Sequence, residues 1–272
     1  MLDLQSHSTY SDGELPPAEV VATAAEQGVT TLALTDHDGI DGVAEAAEAA
    51  GEAGIVLVPA TEISCVHGSI DDVHMLGYWV DTTAIAPSCE RAQRERITRA
   101  EEITERLNEQ GVPVRFEDAI AQAGDASSVG RPHIAKAAGV KPEEMGAFFE
   151  EWLVPGGKAF VSRRWPHAAE AIEIIHGAGG SAVLAHPFWD MDDPKEVAAL
   201  IDDLDLDGVE CFYPSHDRAQ TKFLLELCRE RGLTATASSD FHGPSHKNFD
   251  SFCAYPTYDL GEPELPPRRT AA

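Results

Sequence analysis

Two kinds of hydrophobic pattern alternate along the first 80 residues of the chain. Apolar residues recur every three or four positions over 16–28 and 41–54, which predicts amphipathic helices. The segments 29–38, 55–64 and 72–80 are rich in branched and other apolar residues, which predicts β-strands. Helices that alternate with strands at this spacing are typical of βαβ units. The pattern therefore favours an α/β fold with a parallel sheet or barrel.

The middle of the chain has a helical pattern almost throughout. The predicted helices here are 88–110, 116–123, 131–138 and 143–153. The next predicted strand is 159–162. We therefore expect residues 87–164, called the helical insertion below, to be an all-helical subdomain. It would interrupt a discontinuous α/β domain made of residues 1–86 and 165–260.

The alternation of helix and strand returns after the helical insertion. The predicted helices are 166–180, 193–204 and 215–232, and the predicted strands are 181–187, 207–213 and 233–243. The last residues, 261–272, are polar and rich in proline, so we predict a loose tail.

The composition limits the class of protein. With 272 residues, 43% of them hydrophobic, the chain can bury a substantial core. It has no apolar run of about 18 residues, so no membrane span is expected. Its N-terminus lacks the basic and apolar regions of a signal peptide. The five cysteines are widely spaced and form no CxxC pair, which predicts free thiols and a cytoplasmic protein.

The net charge of −27 argues against a long nucleic acid as partner. Such complexes depend on neutralising backbone phosphates with lysine and arginine. A small anionic substrate in a local cationic pocket remains compatible with this charge.

Residues with metal-binding chemistry lie near the ends of most predicted strands. They are His7, Asp12, Asp36, His37, Asp38, Glu62, His74, His186, Asp240 and His242. In parallel α/β folds, functional sites gather at the carboxyl ends of the strands. Any one of these residues has an ordinary structural interpretation, such as a turn aspartate. Carboxylates packed together repel one another unless cations lie between them, and His with Asp or Glu suits zinc, manganese or iron. The joint pattern therefore predicts a metal site.

Eight motifs carry a resemblance to a known family. They are "DLQSHSTYSDG" (3–13), "LALTDHD" (32–38), "VPATEIS" (58–64), "DVHMLGY" (72–78), "GRPHIA" (130–135), "PGGKAFVS" (155–162), "GGSAVLAHP" (179–187) and "SSDFHG" (238–243). Through them the chain resembles the PHP (polymerase and histidinol phosphatase) family of metal-dependent phosphoesterases. It is most similar to the branch that acts on nucleotide 3′,5′-bisphosphates and short RNA 5′ ends.

The resemblance implies a distorted (βα)7 barrel with an inserted helical subdomain and two or three divalent ions. Manganese, iron or zinc is expected, with magnesium as a further option. The implied ligands are Gln5, His7, Glu62 and Asp240 for a first ion, Glu62, His74 and His186 for a second, and Asp12, His37 and His242 for a third. Glu62, His186 and Asp240 are the expected catalytic residues, with Glu62 bridging the first two ions.

Gln5 departs from the family pattern, which has histidine at this position. An amide oxygen is a weaker and harder ligand than imidazole. The first site is therefore expected to be looser, to prefer manganese or magnesium over zinc, or to fill with substrate present.

The implied reaction is hydrolysis of a phosphate ester by metal-activated hydroxide. The substrate would be a small nucleotide: a 3′,5′-bisphosphate, a cyclic phosphodiester or a short oligoribonucleotide. Candidate residues for binding the phosphate or the rest of the substrate are Ser128, Arg131, His133, Lys158, Ser162, Arg163 and His216. Guanidinium groups bind phosphate through paired hydrogen bonds. For Lys158 an ordinary surface lysine is the alternative interpretation.

Two other functions stay open at this point. One is a degenerate PHP domain that binds metal without catalysis, for which Gln5 is the supporting feature. The other is an amidohydrolase-like C–N hydrolase, because metal barrels of that kind use similar ligands. Arg131 and Lys158 in the helical insertion favour an anionic substrate instead.

Overall fold

Seven strands form one sheet that curls into a nearly closed barrel. The structure is a computed structural model that describes residues 1–124, 129–189 and 191–269. The strands are β1 (Leu2–Asp3), β2 (Thr31–Leu34), β3 (Val56–His67), β4 (Ile70–Tyr78), β5 (Ser181–Leu184), β6 (Gly208–Phe212) and β7 (Thr234–Ala237), and they are neighbours in chain order. Leu4 N donates to Ala237 O at 3.1 Å, and Ser6 bridges to Phe241, so the first and last strands approach each other. The predicted α/β barrel is confirmed.

Strand β4 runs in the opposite direction to the other six. β1, β2 and β3 are parallel to one another, as are β5, β6 and β7, whereas β4 pairs antiparallel with both β3 and β5. The beginning of β4 therefore lies at the edge where the other strands end. His74, the middle residue of β4, is paired with Ser64 on β3.

Amphipathic helices pack around the barrel. They are α1 (Pro17–Glu26), α2 (Val43–Ala53), α7 (Ala168–Gly177), α8 (Pro194–Asp202) and α9 (Arg218–Arg231). Each buries one apolar face, and α1 does so through Val20, Val21 and Ala24. Helices α2 and α9 both end at a left-handed glycine, Gly54 and Gly232. No helix in the described ranges is long and apolar enough to cross a membrane.

The middle of the chain forms a group of helices with a hydrophobic cluster of its own. The elements are α3 (Thr82–Glu109), α4 (Phe116–Ala123), α5 (Arg131–Ala137), a 3₁₀ turn (Pro142–Glu144), α6 (Met145–Phe148) and a π-helical turn (Phe149–Leu153). Helix α3 begins earlier than predicted because Asp81 caps it, accepting bonds from the amides of Thr83 and Ala84. The expected boundary at residue 86 therefore lies inside α3.

The predicted strand 159–162 is wrong. Ala159, Val161 and Arg163 are buried while Ser162 is exposed, so burial alternates with the period of a strand. The apolar members pack into the helical cluster, however, and the segment pairs with no described strand. An extended segment with one side against a core and the other side in solvent shows the same alternating burial as a β-strand, even without a partner strand.

Residues 261–269 are not the loose tail that was predicted. Trp79 Nε1 donates to Pro266 O at 2.8 Å, and Ser181 Oγ donates to Pro267 O at 2.6 Å. Arg269 pairs with Asp207 at 2.6 Å. These contacts hold the segment against the barrel.

Candidate metal centre and active site

Eight of the nine predicted ligands meet at the carboxyl edge of the barrel. His7 and Asp12 follow β1, His37 follows β2, Glu62 lies in β3, His74 in β4, His186 follows β5, and Asp240 and His242 follow β7. The reversal of β4 is what brings the start of that strand to this edge. The side chains thus come from six of the seven strands or the loops that follow them.

Glu62 lies at the centre of the group and is fully buried. Its Oε1 atom is 2.7 Å from His74 Nδ1 and 3.2 Å from His186 Nε2. Its Oε2 atom is 3.2 Å from His7 Nε2 and 3.3 Å from His37 Nδ1. Each carboxylate oxygen therefore faces two imidazoles, which is the arrangement of a carboxylate that can bridge two cations.

Asp12 and Asp240 extend the group on the side of His7. The carboxylate oxygens of Asp12 lie 3.6 Å from His242 Nε2 and 3.7 Å from His37 Nε2. Asp240 Oδ1 lies 3.1 Å from His7 Nε2. Two groups of side chains could each hold a metal ion, because the ligand atoms within each group all lie within 4.8 Å of one another. The first group is His7, Asp12, His37 and His242, and the second is His37, Glu62 and His74.

Burial and charge have opposite effects on the ionisable groups here. Burial alone would raise the pKa of Glu62, yet His37 and His74 hold it well below its usual value. Burial alone would lower the pKa of His74, yet Glu62 and Asp72 raise it to about 10. The pKa of Asp12 is also lowered despite its burial, chiefly by His37. The carboxylates therefore favour positive charge beside them, either as protons on the imidazoles or as bound cations.

Buried polar atoms of the group have no hydrogen-bond partner among the described residues. They are His7 Nε2, Asp12 Oδ1, His37 Nδ1, Glu62 Oε2 and Asp240 Oδ1. Orphaned donors and acceptors are costly inside a protein, and metal coordination is one way in which they are satisfied. The mixed nitrogen and oxygen donor set fits zinc, manganese or iron.

Neighbouring groups fix the orientation of two of these residues. Glu210 Oε2 accepts from the amide of His186 at 2.8 Å, and Tyr213 OH donates to Asp240 Oδ2 at 2.8 Å. Asp240 Oδ1 remains directed at His7. His186 and Asp240 both have positive φ, 26° and 55°, which is uncommon for residues with a side chain and typical of functional sites.

A buried carboxylate orders the loop that carries Asp12. Asp36 accepts from the Ser8 amide, the Ser8 hydroxyl and the Ser11 hydroxyl, each at 2.7 Å. The motif residues between His7 and Asp12 thus build the turn that presents the two ligands.

A cavity rich in arginine opens beside the eight predicted ligands around Glu62, which we call the metal-binding group. It has a volume of about 100 Å³. We call it the arginine cavity, after the guanidinium groups of Arg96, Arg99, Arg131 and Arg163. Asp12, His37 and His74 form part of its wall. Four arginines and three of the predicted ligands therefore line the same cavity.

Comparisons with known proteins identify the family. The PHP domain model matches residues 3–126. A 3′,5′-nucleoside bisphosphate phosphatase of Chromobacterium violaceum is 35% identical over 92% of this chain and 90% of its own length. The chain belongs to the PHP family. A 5′-3′ exoribonuclease of Haemophilus influenzae is 38% identical over 89% of this chain and 90% of its own length.

Solved structures of PHP-like proteins have the same fold. An amidohydrolase from Chromobacterium violaceum, with bound sulfate and no metal, superposes with a TM-score of 0.85 at 32% identity. It covers 96% of this chain, and 93% of its own chain is matched. A putative metal-dependent phosphoesterase from Bifidobacterium adolescentis gives a TM-score of 0.80 at 31% identity, over 91% of this chain and 89% of its own. The chain is thus a member of a family of metal-dependent phosphoesterases.

Gln5 is the position at which this PHP chain departs from the expected ligand pattern. The side chain is buried, with 1% exposure. Its Oε1 atom lies 3.2 Å from Ser238 Oγ, whose single proton is shared with the nearer Glu210 Oε1 at 2.5 Å, and its Nε2 atom has no partner among the described residues. The oxygen that was predicted to face the first metal position therefore lies beside a serine hydroxyl.

Arg131 and Arg163 are the two predicted phosphate-binding residues that line the arginine cavity. His133 is buried, and its Nδ1 atom instead accepts from Gly130 N at 3.0 Å, as a helix cap. Lys158 is an exposed lysine paired with Glu151 at 2.5 Å.

Ser162 and His216 are not among the residues that line the arginine cavity. Ser162 is exposed. His216 is buried and contacts Cys211 O through Nδ1 at 3.1 Å. Ser128 lies outside the described residues. Ser162, His216, His133 and Lys158 therefore do not line the arginine cavity with Arg131, and their part in substrate binding stays a prediction.

Sequence reasoning missed Arg96 and Arg99 on α3. Arg96, Arg99, Ala100 and Ile103 are spaced i, i+3, i+4 and i+7, so they share one helix face. Ala100 and Ile103 are buried. Two arginines on the apolar face of a helix that otherwise has a charged surface are the signal that could have identified them.

Proposed function

We propose that the protein hydrolyses a phosphate ester of a small nucleotide, with divalent metal ions held by the group around Glu62. The observation that carries this proposal is that the ligand group around Glu62 and the arginine cavity share three residues. Asp12, His37 and His74 belong to the metal-binding group and also line the arginine cavity. A phosphate ester needs both a metal-binding face and cationic hydrogen-bond donors.

The proposed ligand sets are those that the family resemblance implies. Glu62 and Asp240 with His7, and Gln5 if its amide turns, would hold one ion, and Glu62 with His74 and His186 a second. Asp12, His37 and His242 would hold a third. We propose two or three ions of manganese, iron or zinc, or magnesium. Such ions, when bound, lower the pKa of coordinated water and neutralise charge that develops on phosphate oxygens.

The chain's own residues position these components. Tyr213 holds Oδ2 of Asp240, which leaves Oδ1 directed into the cluster. The Glu210 carboxylate holds the backbone of His186, so its imidazole stays directed at Glu62. Burial of Glu62 and His186 keeps the local dielectric low, which strengthens each electrostatic contact with an anionic substrate. We propose Glu62, His186 and Asp240 as the catalytic residues.

The surface charge limits the size of the substrate. With a net charge of −27, long RNA would be repelled, whereas one nucleotide or a short oligonucleotide can enter a local cationic pocket. The names of the relatives, a nucleoside bisphosphate phosphatase and a 5′-3′ exoribonuclease, support this class of substrate. The five free cysteines are consistent with action in a reducing cytoplasm, which we also propose.

Two alternatives are less well supported by the geometry. A degenerate domain that binds metal without catalysis is less favoured, because degenerate domains usually lose several ligands, whereas eight predicted ligands converge here. A C–N hydrolase is the second alternative, and one solved relative is called an amidohydrolase. Hydrolysis of a C–N bond does not require four arginines beside the metal ions, so the arginine cavity favours an anionic substrate.

The experiment is to measure phosphate or nucleotide release from three compounds. They are adenosine 3′,5′-bisphosphate, a cyclic ribose phosphate and a short 5′-phosphorylated RNA, assayed before and after a chelator and with divalent ions added back. We expect turnover of at least one compound, loss with chelator and recovery with metal. His74→Ala should abolish turnover, whereas Glu117→Gln, an exposed carboxylate on α4, should not change it. Full activity after chelation, or no release from any compound, would overturn the proposal.

A further inference from the structure

Three buried polar side chains, Gln5, Ser238 and Glu210, contact one another next to the metal-binding group. Gln5 follows β1, Ser238 follows β7, and Glu210 lies in β6. Gln5 is 1% exposed, and the other two are fully buried. Ser238 Oγ lies 2.5 Å from Glu210 Oε1 and 3.2 Å from Gln5 Oε1. We call these three residues the Gln5 network.

The hydrogen bonds of the Gln5 network do not balance while the Gln5 oxygen faces Ser238. A serine hydroxyl has one proton, and the shorter contact gives it to Glu210. The Gln5 oxygen then faces Ser238 without receiving a proton. The two protons of Gln5 Nε2 have no acceptor among the described residues. Unused donors and acceptors on a buried side chain are costly.

Protonation of Glu210 does not remove this imbalance. Burial raises the pKa of Glu210 to about 8, so a protonated form is accessible near neutral pH. Protonated Glu210 could donate to Ser238, which would then donate to the Gln5 oxygen. The Gln5 amide nitrogen would still lack an acceptor in the described part of the chain. The orientation of the amide is therefore the source of the imbalance.

A half-turn of the Gln5 amide balances the network. The turn exchanges the oxygen and the nitrogen with almost no change in shape. Nε2 then donates to Ser238 Oγ, and Ser238 donates to Glu210 Oε1. The Gln5 oxygen takes the place of the unpartnered nitrogen and is directed away from Ser238. Every member then has a hydrogen-bond partner, and the Gln5 oxygen is the acceptor that remains free.

The chain places the Gln5 network next to two predicted ligands of the first ion. Gln5 lies two residues before His7, so an extended backbone directs both side chains to one face. Ser238 lies two residues before Asp240 on the neighbouring segment, which is bridged to the first segment at Ser6. His7 Nε2 and Asp240 Oδ1 are 3.1 Å apart, and both are buried without a hydrogen-bond partner among the described residues. The free amide oxygen would join these two atoms.

An amide oxygen changes the metal that this site favours. With His7, Glu62 and Asp240 it gives one nitrogen and three oxygen donors, whereas the second site has the two imidazoles of His74 and His186. Carboxylate and carbonyl oxygens suit manganese and magnesium, and imidazole suits zinc. The first site should therefore discriminate less against manganese than the second site does.

We propose that Ser238 and Glu210 hold the Gln5 amide with its oxygen toward the first metal site, which shifts the preference of that site from zinc toward manganese. This inference rests on the proposed function, which assigns an ion to that site. Ser238 and Glu210 are then positioning residues. Glu210 Oε2 also accepts from His186 N at 2.8 Å, so one carboxylate positions a ligand of each of two sites.

The test measures the affinities of the metal-free protein for manganese and for zinc by competition with a chelating dye. Ser238→Ala removes the acceptor that the amide nitrogen needs, so the amide is free to turn. Manganese binding at one site should weaken about 10- to 100-fold, the usual effect of losing a hydrogen-bond partner of a metal ligand. Zinc depends less on an oxygen ligand and should lose less affinity. Unchanged manganese affinity in Ser238→Ala would overturn the inference.

Glutamate at position 5 separates the orientation of the amide from a packing role of Ser238. In Gln5→Glu both ends of the side chain are oxygens, so its orientation no longer matters. Ser238→Ala should therefore weaken manganese binding much less in the Gln5→Glu protein than in the wild type. Equal losses in both proteins would show that Ser238 acts on packing and would overturn the inference. The control is Ser251→Ala, which removes a hydroxyl that donates to Asp250 and should bind both metals as the wild type does.

A crystal structure of the wild-type protein with manganese tests the inference without any variant. It should show Gln5 bound to the ion that His7 and Asp240 hold, with Ser238 at hydrogen-bond distance from the other end of the amide. A Gln5 side chain that contacts no ion would overturn the inference.

Phosphate release by the manganese-loaded wild type tests the proposed function separately. Hydrolysis together with unchanged metal affinities in Ser238→Ala overturns the role of the Gln5 network and leaves the phosphoesterase intact. Weaker manganese binding in Ser238→Ala, without hydrolysis by any metal-loaded form, supports the Gln5 network and overturns the proposed function.

Discussion

Glu62 Oε1 lies 2.7 Å from His74 Nδ1, between two strands that run in opposite directions. Glu62 is the seventh of the twelve residues of β3 and His74 the fifth of the nine residues of β4, and the antiparallel pairing places them side by side. In an all-parallel barrel the first half of a strand would lie at the opposite edge from the carboxyl ends of its neighbours. The reversal of β4 is therefore the topological feature that completes the metal-binding group.

Asp38 is the buried carboxylate that faces two arginines of the cavity, and we expect its charge to stabilise the fold. Its Oδ1 atom accepts from Ser64 N at 2.9 Å, and Oδ2 pairs with Arg96 and, at 3.6 Å, with Arg163. Asp38→Asn keeps the size of the side chain and tolerates the positive φ of 52°. It leaves two buried guanidinium groups without a counter-charge, so we expect a loss of about 3 kcal/mol in the free energy of unfolding.

Urea denaturation of Asp38→Asn checks this prediction. The matched control is Glu90→Gln, which removes a carboxylate from the exposed pair with Arg94 and should have no measurable effect. Equal stability of Asp38→Asn and Glu90→Gln would show that the buried charge is not needed.

A histidine at position 5 should strengthen metal binding. Gln5 is buried, and its oxygen lies beside Ser238 Oγ, so it offers at most a weak ligand. Gln5→His supplies an imidazole, a better ligand for zinc, and should tighten binding at least about tenfold, a typical effect of changes around a metal site. Competition with a chelating dye measures the affinity. Gln110→His, on an exposed residue at the end of α3, controls for adventitious binding to an added histidine. Unchanged affinity in Gln5→His would show that position 5 is outside the coordination sphere.

His216 should make the protein less stable in acid. Burial lowers the pKa of His216 to about 4 from an ordinary value of 6.5. Between pH 6.5 and 4 the unfolded chain therefore binds a proton at this residue that the folded protein does not. The stability contribution is complete above pH 6.5 and falls by up to about 3 kcal/mol as the pH drops to 4.

A comparison with His216→Asn isolates this contribution from the other histidines. Asparagine can still donate to Cys211 O, the bond that Nδ1 makes at 3.1 Å, but it does not titrate. Urea denaturation at several pH values should give a wild-type stability that decreases more steeply than that of the variant between pH 6.5 and 4. Parallel curves would contradict the assigned protonation state.

The motif residues of the site could be predicted because their chemistry is local in the sequence. A histidine or carboxylate directly after a buried strand is directed to the strand-end edge in any parallel barrel, so His7, His37 and His186 required no tertiary information. His74 was harder to place from the strand pattern alone, since periodicity does not give strand direction. Its residue type and its place in a predicted strand brought it into the predicted site, and the family resemblance then gave its ligand set.

The cationic half of the site could not be predicted in the same way. Arg96 and Arg99 lie inside a long helix whose charges are mostly solvated, and the contacts that hold them, to Asp38 and to Val161 O, are distant in sequence. Lys158 had the more suggestive position after a glycine turn, yet it pairs with Glu151 on the surface. Which cations line a cavity depends on tertiary packing between the insertion and the barrel.

Metal content per chain in Glu62→Gln tests most directly the proposal that the carboxylate of Glu62 holds the divalent ions. The amide keeps the shape of the side chain and removes the charge that its four histidine neighbours face. We predict that the wild type holds two or three divalent ions, and that Glu62→Gln loses most of them together with phosphate release. Glu117→Gln should retain both. A Glu62→Gln protein with wild-type metal content and wild-type activity would contradict the account.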